Sequence, residues 1–305
     1  MNVLTEIAEA TATVTERAGT SVVSIGRSGR GTGVVVADGR VLTNAHNLRD
    51  RTTTVSFPDG RTEQGTVAAA DVDGDLAVLE VDTAGATPIT WADGDGQPLA
   101  VTAGQAVFGL ASPVGRGLRA TFGTVSAVGQ AFRGPRGRRI RDAFEHTAPL
   151  GRGSSGGPVV DAEGRLLGIN TNRLGDGFYL AVPADAELRR RVEALGRGEH
   201  TARPRLGLGL APSRVAQRLR AAVGLPEREG LLVQTVDDDA PAARAGVRTG
   251  DLVVRAGERS VVHADDLLDA VETAGSTGTL DLRLVRGAEE LTVTVRFGAE
   301  DDATT

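Results

Sequence analysis

The sequence predicts a mainly β protein in which two successive β-barrels are followed by a smaller α+β domain. From Ser21 to about Val182, short β-branched runs alternate with Gly/Asp turns, which is typical of a barrel or sandwich. Residues 205–298 have a different sequence pattern, which predicts strands alternating with helices. The chain has 305 residues, 40% of them hydrophobic, which is enough for two domains with separate cores.

The elements divide the chain into five segments. Residues 1–20 are predicted to hold a short amphipathic helix packed on the first barrel, because apolar residues recur there about once per helical turn. The double barrel is assigned to 21–184, a helical connector and linker to 185–203, the α+β domain to 204–298 and a disordered tail to 299–305.

Six strands are predicted for each barrel. The first six are Ser21–Ile25, Gly33–Val36, Val41–Thr43, Thr53–Phe57, Thr66–Ala69 and Leu76–Val81. The second six are Ala106–Gly109, Arg119–Val128, His146–Ala148, Pro158–Val160, Leu166–Asn172 and Gly177–Ala181. Residues 92–98 are predicted to connect the barrels, with a cleft between them, and the arginine-rich stretch 133–141 is interpreted as a solvated loop.

The C-terminal domain is predicted to begin with the strand Leu206–Leu210. Its other elements are a helix over Ser213–Val223, a strand over Leu231–Val236, a strand ending near Val254, a helix over Ala264–Thr273, and the strands Thr279–Val285 and Glu290–Phe297.

The segment Gly-Arg-Gly-Ser-Ser-Gly-Gly-Pro at 151–158 suits the presentation of a serine hydroxyl. Glycines let successive N–H groups turn toward one point, and the tetrahedral intermediate of acyl transfer needs such donors. We therefore predict Ser155 as a nucleophile. The residues Gly153, Ser154 and Ser155 form the predicted oxyanion hole, with the N–H groups of Gly153 and Ser155 as donors. A Gly/Ser/Pro surface turn is the alternative.

A serine nucleophile needs a base and a group that orients the base. Of the four histidines, His46 is the best candidate base because it ends an apolar strand beside the expected cleft; a purely structural histidine is the alternative. Asp75, which opens another apolar strand, is predicted to orient it. Asp71 and Asp73 compete, but they belong to a turn, where aspartate usually bonds the backbone.

The chain order of these residues separates two scaffolds. Residues 153–157 match the G-x-S-x-G elbow of α/β-hydrolases, which requires the order serine, acid, histidine and a helix after the serine. Here a predicted hairpin follows Ser155, and the order is His46, Asp75, Ser155. That order is the one used by chymotrypsin-type double barrels.

Several ordered stretches resemble the HtrA/Deg-type serine proteases, in which a trypsin-like domain precedes a PDZ domain. They are Gly31–Val36, Leu42–His46, Asp75–Leu79, Gly153–Pro158 and Gly168–Thr171. Residues 240–251 resemble the Pro-Ala-x-x-Ala-Gly-x-x-x-Gly-Asp signature of bacterial PDZ domains. The resemblance implies a chymotrypsin-like double β-barrel and a PDZ domain. It also implies His46 as general base, Asp75 as its orienter and Ser155 as nucleophile.

The chain departs from the family beside the nucleophile. Ser154 stands where the family usually has asparagine, and Gly151–Arg152 replace an Asn-Pro pair. Both changes alter the loop that shapes the oxyanion hole. Two functions therefore stay open: a serine endopeptidase of protein quality control that cleaves unfolded or extended polypeptides, and a peptide-binding scaffold or holdase chaperone with an unassembled or low-activity protease site. A plain nutrient trypsin is the weaker third alternative, because it would not need a domain that reads C-terminal peptides.

The resemblance also locates the binding surfaces. The position that carries a carboxylate in arginine-selective relatives of trypsin falls on Pro149, next to Leu150, so a neutral pocket for small or branched aliphatic side chains is expected. The backbone of Gly168, Ile169, Asn170 and Thr171 is expected to pair with substrate. In the PDZ domain the carboxylate loop falls on Arg205, Leu206, Gly207 and Leu208, and Leu206, Leu208, Leu267 and Ala270 are expected to line a groove for apolar C-terminal peptides.

Composition narrows the possible partners. A formal net charge of −6 argues against nucleic acid, and the absence of cysteine excludes disulfides and thiolate chemistry. No metal or organic cofactor is implied, and the resemblance implies a possible homotrimer. The first ten residues lack the basic start and the continuous apolar run of a signal peptide or anchor, which predicts a cytoplasmic location.

Overall fold

A computed structural model describes residues 2–27, 29–93, 99–113, 117–134, 139–175, 177–199, 204–275 and 278–297. The chain divides into two compact units, residues 1–201 and 202–305. The predicted tail 299–305, most of the predicted connector between the barrels and the end of the predicted linker lie outside the described residues.

The first barrel of the N-terminal unit contains all six predicted strands. They are β1 Val22–Ile25, β2 Gly31–Ala37, β3 Arg40–Thr43, β4 Thr52–Ser56, β5 Thr62–Asp71 and β6 Leu76–Glu80. The barrel closes in the order β1-β2-β3-β6-β5-β4, so β3 and β6 are hydrogen-bonded neighbours. Their pairing places Thr43 opposite Ala77, and the residues that follow β3 therefore lie beside those that precede β6.

The second barrel also has six strands and closes in the order β10-β11-β12-β9-β8-β7. They are β7 Ala106–Ala111, β8 Arg119–Arg133, β9 Arg139–His146, β10 Pro158–Val160, β11 Leu166–Gly175 and β12 Phe178–Pro183. The predicted loop over 133–141 is wrong at both ends, because β8 and β9 form a long hairpin in which Phe132 pairs with Ile140. Arg133 and Arg141 each follow one residue of this apolar pair, and the arginines concealed the two strand ends.

One hydrophobic cluster joins the two barrels. It combines Leu42 and Leu76 of the first barrel with Phe108 and Ile169 of the second. Two helices cover it. They are α1 Val3–Ala18, which packs against β8 of the second barrel rather than the predicted first barrel, and α2 Ala186–Gly196, which packs against β5 and β6. The shared core fixes the loops of both barrels relative to each other.

The second unit is a twisted sheet with helices. Its elements are β13 Leu208–Ala211, α3 Ser213–Ala222, β14 Leu231–Val236, α4 Pro241–Arg244, β15 Leu252–Ala256, β16 Arg259–Ser260, α5 Ala264–Gly275, β17 Thr279–Arg286 and β18 Glu289–Arg296. The strand order is β13-β14-β15-β17-β18, with β16 paired to β15, so β13 is an edge strand. The first strand begins at Leu208, two residues later than predicted, which leaves Arg205–Gly207 as a loop.

Within the described part of the chain, no helix has the length and apolar character needed to cross a membrane.

Candidate active site

The predicted catalytic residues lie on loops where the two barrels meet. His46 follows β3, Asp75 directly precedes β6, and Ser155 lies in the loop between β9 and β10. The first two come together because β3 and β6 are paired. The loop of Ser155 is bonded to β2 of the first barrel, since the N–H of Thr32 donates to the Ser155 carbonyl at 2.9 Å.

Asp75 holds the imidazole of His46 with both carboxylate oxygens. Oδ2 lies 2.7 Å from Nδ1, and Oδ1 accepts the backbone N–H of His46 at 3.0 Å. The Asp75 side chain is 2% exposed, whereas the His46 side chain is 33% exposed. A buried carboxylate on Nδ1 selects the tautomer in which Nδ1 carries the proton and Nε2 is free to accept one.

Asp75 has a backbone conformation that few residues tolerate. Its φ is 55°, in the left-handed region where aspartate is among the enriched non-glycine residues. Its carbonyl accepts the side-chain amide of Asn44 at 2.8 Å and the N–H of Ala45 at 3.2 Å. These bonds hold the turn that carries Asp75 against the segment that carries His46.

Thr171 completes the environment of the carboxylate. Its hydroxyl donates to Oδ2 of Asp75 at 3.0 Å. Sequence analysis placed Thr171 in the substrate pocket and missed this contact. The hydroxyl comes from the second barrel, so the orienting carboxylate is bonded to both halves of the unit.

Ser155 lies at the junction, but its hydroxyl points to the backbone. Oγ donates to the Thr171 carbonyl at 3.3 Å, well beyond the usual 2.7–2.8 Å for such a bond. Within the described residues, the expected bond between Ser155 and His46 is not formed. The long bond to Thr171 is weak, so rotation about χ1 can redirect the hydroxyl at small cost.

Two backbone N–H groups beside the nucleophile are free to bind an oxyanion. In the part of the chain that the structure describes, those of Gly153 and Ser155 donate to no acceptor. The Ser154 carbonyl accepts the N–H of Gly157 at 3.0 Å, which fixes the peptide plane that carries the Ser155 N–H. The Ser154 side chain is buried, and within the same residues its hydroxyl has no partner.

Position 153 requires glycine because the backbone of the first barrel lies very close to it. Its φ is 84°, and a Cβ there would lie 2.6 Å from the carbonyl oxygen of Gly29. Any side chain would therefore push the loop away from the first barrel and misplace the two N–H groups.

Thr32 and Asn47 hold the nucleophile loop, and sequence analysis missed both. The Thr32 hydroxyl donates to the Gly153 carbonyl at 2.7 Å, in addition to its N–H bond with Ser155. The side-chain amide of Asn47 donates to the Ser155 carbonyl at 2.9 Å. The available signals were weak: a threonine between two glycines and a polar residue directly after His46.

The predicted substrate strand is corrected by the pairing of β11. Gly168 and Ile169 are bonded on both sides, to β10 and to β12. Asn170 exchanges backbone hydrogen bonds with Gly157 and Gly156. These residues therefore have no free edge. Among the described strands, β11 lacks a second neighbour only from Thr171 onward, where its edge can pair with an extended chain.

The predicted specificity residues separate in the structure. Pro149 is exposed, whereas Leu150 is buried in an apolar cluster with Ala111 and Tyr179. The Tyr179 hydroxyl donates to the Leu150 carbonyl at 2.7 Å. Leu150 is therefore part of the packed interior, and the neutral pocket stays a prediction.

His146 is a buried titratable group behind the same loop. Its Nε2 lies 2.8 Å from Oδ1 of Asn170, and its ring stacks on Tyr179. Asn170 directs its amide to the Gly157 carbonyl at 3.2 Å, so Nε2 carries the proton and Nδ1 is an acceptor without a partner in the described residues. Burial lowers the pKa of His146.

The predicted carboxylate loop of the second unit has the backbone geometry to bind an anion. The Leu206 carbonyl accepts the N–H of Ala242 at 3.1 Å, and the Gly207 carbonyl accepts that of Asp237 at 2.9 Å. Because N–H and C=O point in opposite directions across a trans peptide, the N–H groups of Gly207 and Leu208 face away from these partners. They open onto the free edge of β13.

The predicted groove residues are more buried than expected. Leu206 and Leu267 are 7% and 3% exposed within the core cluster of the second unit, which also contains Ala270. Leu208 is only partly buried, and Arg205 is exposed. Leu206, Leu267 and Ala270 therefore belong to the core of this unit, while Leu208 is the predicted apolar groove residue that keeps more of its surface accessible.

The fold and this site define a trypsin-like peptidase domain followed by a PDZ domain. A family model described as a trypsin-like peptidase domain matches residues 31–169, and one described as a PDZ domain matches residues 204–297.

Known proteins resemble the chain over most of its length. "Serine protease HTRA2, mitochondrial" of Bos taurus is 33% identical over 277 residues, which cover 86% of this chain and 58% of that protein. HhoA of Synechocystis sp. is 31% identical over 281 residues, which cover 88% of this chain and 70% of that protein. The solved structure of the HtrA-type protease AlgW with a decapeptide superimposes on this chain with a TM-score of 0.71 and 23% identity. The match covers 94% of this chain and 97% of that structure's chain.

The chain belongs to the HtrA-type family of serine proteases. It spans 58% of the length of the Bos taurus relative.

Proposed function

We propose that this chain is a serine endopeptidase that hydrolyses peptide bonds in unfolded or extended polypeptides. The observation that carries the proposal is the pair formed by His46 and Asp75, with Nδ1 and Oδ2 2.7 Å apart, beside a serine flanked by two unpaired N–H groups within the described residues. This arrangement supplies a base, an orienter, a nucleophile and an oxyanion site.

The reaction follows from these roles. As the Ser155 oxygen attacks the substrate carbonyl, Nε2 of His46 takes the hydroxyl proton and Asp75 stabilises the imidazolium. The N–H groups of Gly153 and Ser155 stabilise the oxyanion. His46 then gives the proton to the leaving amine, and water repeats the sequence on the acyl-enzyme.

Cleavage of unfolded casein by the purified chain tests the proposal. Replacing Ser155 by alanine should lower the rate by roughly 10⁶-fold, because the covalent route is lost. The matched control is Ser154→Ala, which removes the neighbouring hydroxyl and leaves the N–H groups of Gly153 and Ser155 in place. A fluorophosphonate should label the wild type and Ser154→Ala, but not Ser155→Ala.

A second function is favoured by one contact. The Ser155 hydroxyl donates to the Thr171 carbonyl rather than to His46, which suits a site at rest that binds polypeptides without cleaving them. A wild type that resists fluorophosphonate with every C-terminal peptide added, yet suppresses aggregation of an unfolded protein, would establish the holdase function instead.

The PDZ domain is proposed to bind the C-terminal residues of substrates or activators. The N–H groups of Gly207 and Leu208 would bind the carboxylate, and β13 would pair with the peptide. Titration of a labelled peptide against its amidated form measures the role of the carboxylate. The predicted homotrimer stays a prediction, and sedimentation equilibrium measures it.

A further inference from the structure

A polar cleft of about 340 Å³ lies on the first barrel beside the candidate active site. It is enclosed by the turn between β1 and β2, the segment after His46, the start of β4 and one residue of β5. Its lining residues are Gly26, Arg27, Arg30, Asn47, Arg49, Asp50, Thr52, Thr53, Thr54 and Gln64. We name it the arginine cleft.

The arginine cleft carries excess positive charge. Arg27, Arg30 and Arg49 line it together with a single acidic residue, Asp50. In the part of the chain that the structure describes, the three guanidinium groups form no hydrogen bond and no ion pair. Many other arginines have a carboxylate partner, as Arg61 does with Asp59 at 2.8 Å. The cleft thus has donors available for an anionic ligand.

The cleft lies on the side of the site where the leaving half of a substrate departs. His46 gives its proton to the leaving amine, so that half of the chain passes His46. Asn47 follows His46, lines the cleft and also bonds the Ser155 carbonyl. The acyl half lies on the opposite side, along the free edge of β11 that begins at Thr171.

We propose that the arginine cleft binds carboxylate side chains that follow the scissile bond, so that the chain prefers to cleave before acidic segments. This rests on the proposed endopeptidase function. Guanidinium groups bind carboxylates through paired hydrogen bonds, and Thr52, Thr53 and Thr54 of β4 also line the cleft. The proposed preference for acidic residues applies only to the part of the substrate that follows the scissile bond.

The test compares quenched-fluorescence peptides that share one acyl half and differ in a leaving half rich in Asp and Glu, in Ala, or in Lys. All are amidated, which removes the carboxylate that the PDZ domain would bind. The wild type should show kcat/KM about tenfold higher for the acidic than for the alanine peptide, the gain expected from a few exposed ion pairs. High salt should reduce this ratio.

Matched variants assign the preference to the cleft. The double variant Arg27→Ala/Arg49→Ala should cleave the alanine peptide at the wild-type rate and lose the acidic preference. Arg190→Ala removes an arginine of α2 that pairs with Glu187, and it should keep the preference. Equal wild-type rates for all three peptides, or a preference that survives the double variant, would overturn the proposal.

A binding measurement separates this proposal from the proposed function. Fluorescence anisotropy of the same peptides with Ser155→Ala requires no turnover. Tighter binding of the acidic peptide that depends on Arg27 and Arg49 would support the cleft even if the wild type cleaves nothing. Equal binding of the three peptides, or binding of an oligonucleotide in place of the acidic peptide, would refute it.

Discussion

The side-chain amide of Asn47 donates a 2.9 Å hydrogen bond to the carbonyl of Ser155, and it thereby joins the segment of the base to the nucleophile. Asn47 is 2% exposed and follows His46 directly. The segment that contains His46 and Asn47 therefore positions the imidazole and also bonds the Ser155 loop of the second barrel. Both reacting groups depend on the same short stretch of backbone.

Asn47→Asp should lower kcat about tenfold or more and leave KM nearly unchanged. The variant keeps the size of the side chain but replaces a donor to a buried carbonyl by an acceptor, a change that costs about 1–3 kcal/mol. When the Ser155 carbonyl is displaced, the hydroxyl oxygen and the backbone N–H of the same residue move with it. Steady-state kinetics on a quenched peptide measures the effect.

Asn47→Val separates loss of the donor from electrostatic repulsion. It should reduce kcat less than Asn47→Asp, since it leaves the Ser155 carbonyl with the N–H of Thr32 and introduces no negative charge. Equal activity of both variants and the wild type would mean that the contact does not position the nucleophile.

The hydroxyl of Thr171 should matter for catalysis through Asp75. Thr171→Val removes the 3.0 Å bond to Oδ2 and leaves the backbone carbonyl in place, so kcat should fall about tenfold while substrate pairing along β11 persists. Thr171→Ser restores the donor and should recover most of the activity. A serine variant no better than valine would show that packing of the methyl group, rather than the hydrogen bond, is what counts.

Most strands, and the meeting of His46, Asp75 and Ser155 at one junction of loops, could be predicted because their signals are local. Apolar runs separated by Gly/Asp turns mark most of the strands, and the segments around His46 and Ser155 carry their own motifs. The end of the β8–β9 hairpin was missed because its arginines resemble a solvated loop, although Phe132 there is buried and pairs with Ile140.

The contacts that hold the site could not be predicted, because they join distant parts of the chain. Asn47 and Ser155 are 108 residues apart, and Thr32 and Gly153 are 121 apart. Which carbonyl a buried amide reaches depends on how one barrel packs on the other. The substrate edge was misplaced for a related reason: only the pairing register shows that β10 occupies β11 as far as Ile169.

Gly207→Ala should abolish binding of C-terminal peptides to the PDZ domain. Gly207 has φ 70°, and a Cβ there would lie 2.2 Å from that of Ala240, so the carboxylate loop must move. Strain of this kind costs about 1–3 kcal/mol. Gly224→Ala is the control, since its φ is 72° and nothing lies within 4 Å of the added atom.

Isothermal titration with a labelled C-terminal peptide measures the loss, and thermal unfolding of each variant checks the fold. Gly224→Ala should bind like the wild type. If Gly207→Ala unfolds with the same midpoint as Gly224→Ala and binds the peptide normally, the loop is not the carboxylate site.

His146 should make the protein less stable as the pH falls below about 6.5. Burial lowers the pKa of His146 relative to the unfolded chain, and the weaker opposing effects are the bond with Asn170 and the charge of Glu145. Because the folded pKa lies below the unfolded value, the unfolded state binds more protons in this range. The stabilisation that neutral His146 contributes is complete above the pKa of the histidine in the unfolded chain and is lost as the pH falls toward the folded pKa.

The structural reason is that a second proton on the ring has no acceptor. Nδ1 is buried without a partner in the described residues, and the ring lies between Phe144 and Tyr179. Protonation would therefore leave a buried positive charge beside Asn170, whose backbone holds Gly156 and Gly157 beside the nucleophile. The free energy of unfolding should therefore fall as the pH is lowered through this range, with a slope set by the proton that the unfolded state takes up.

Urea unfolding between pH 5 and 7 measures this slope in the wild type and in His146→Gln, which keeps a donor for Asn170 but does not titrate. The variant should lose most of the pH dependence in that range, whereas His263→Gln, at an exposed site in the second unit, should retain it. Should His146→Gln fail to fold, the NMR titration of the wild-type ring gives the folded pKa directly. A wild-type slope shared by both variants, or a ring that titrates at or above the unfolded value, would contradict the prediction.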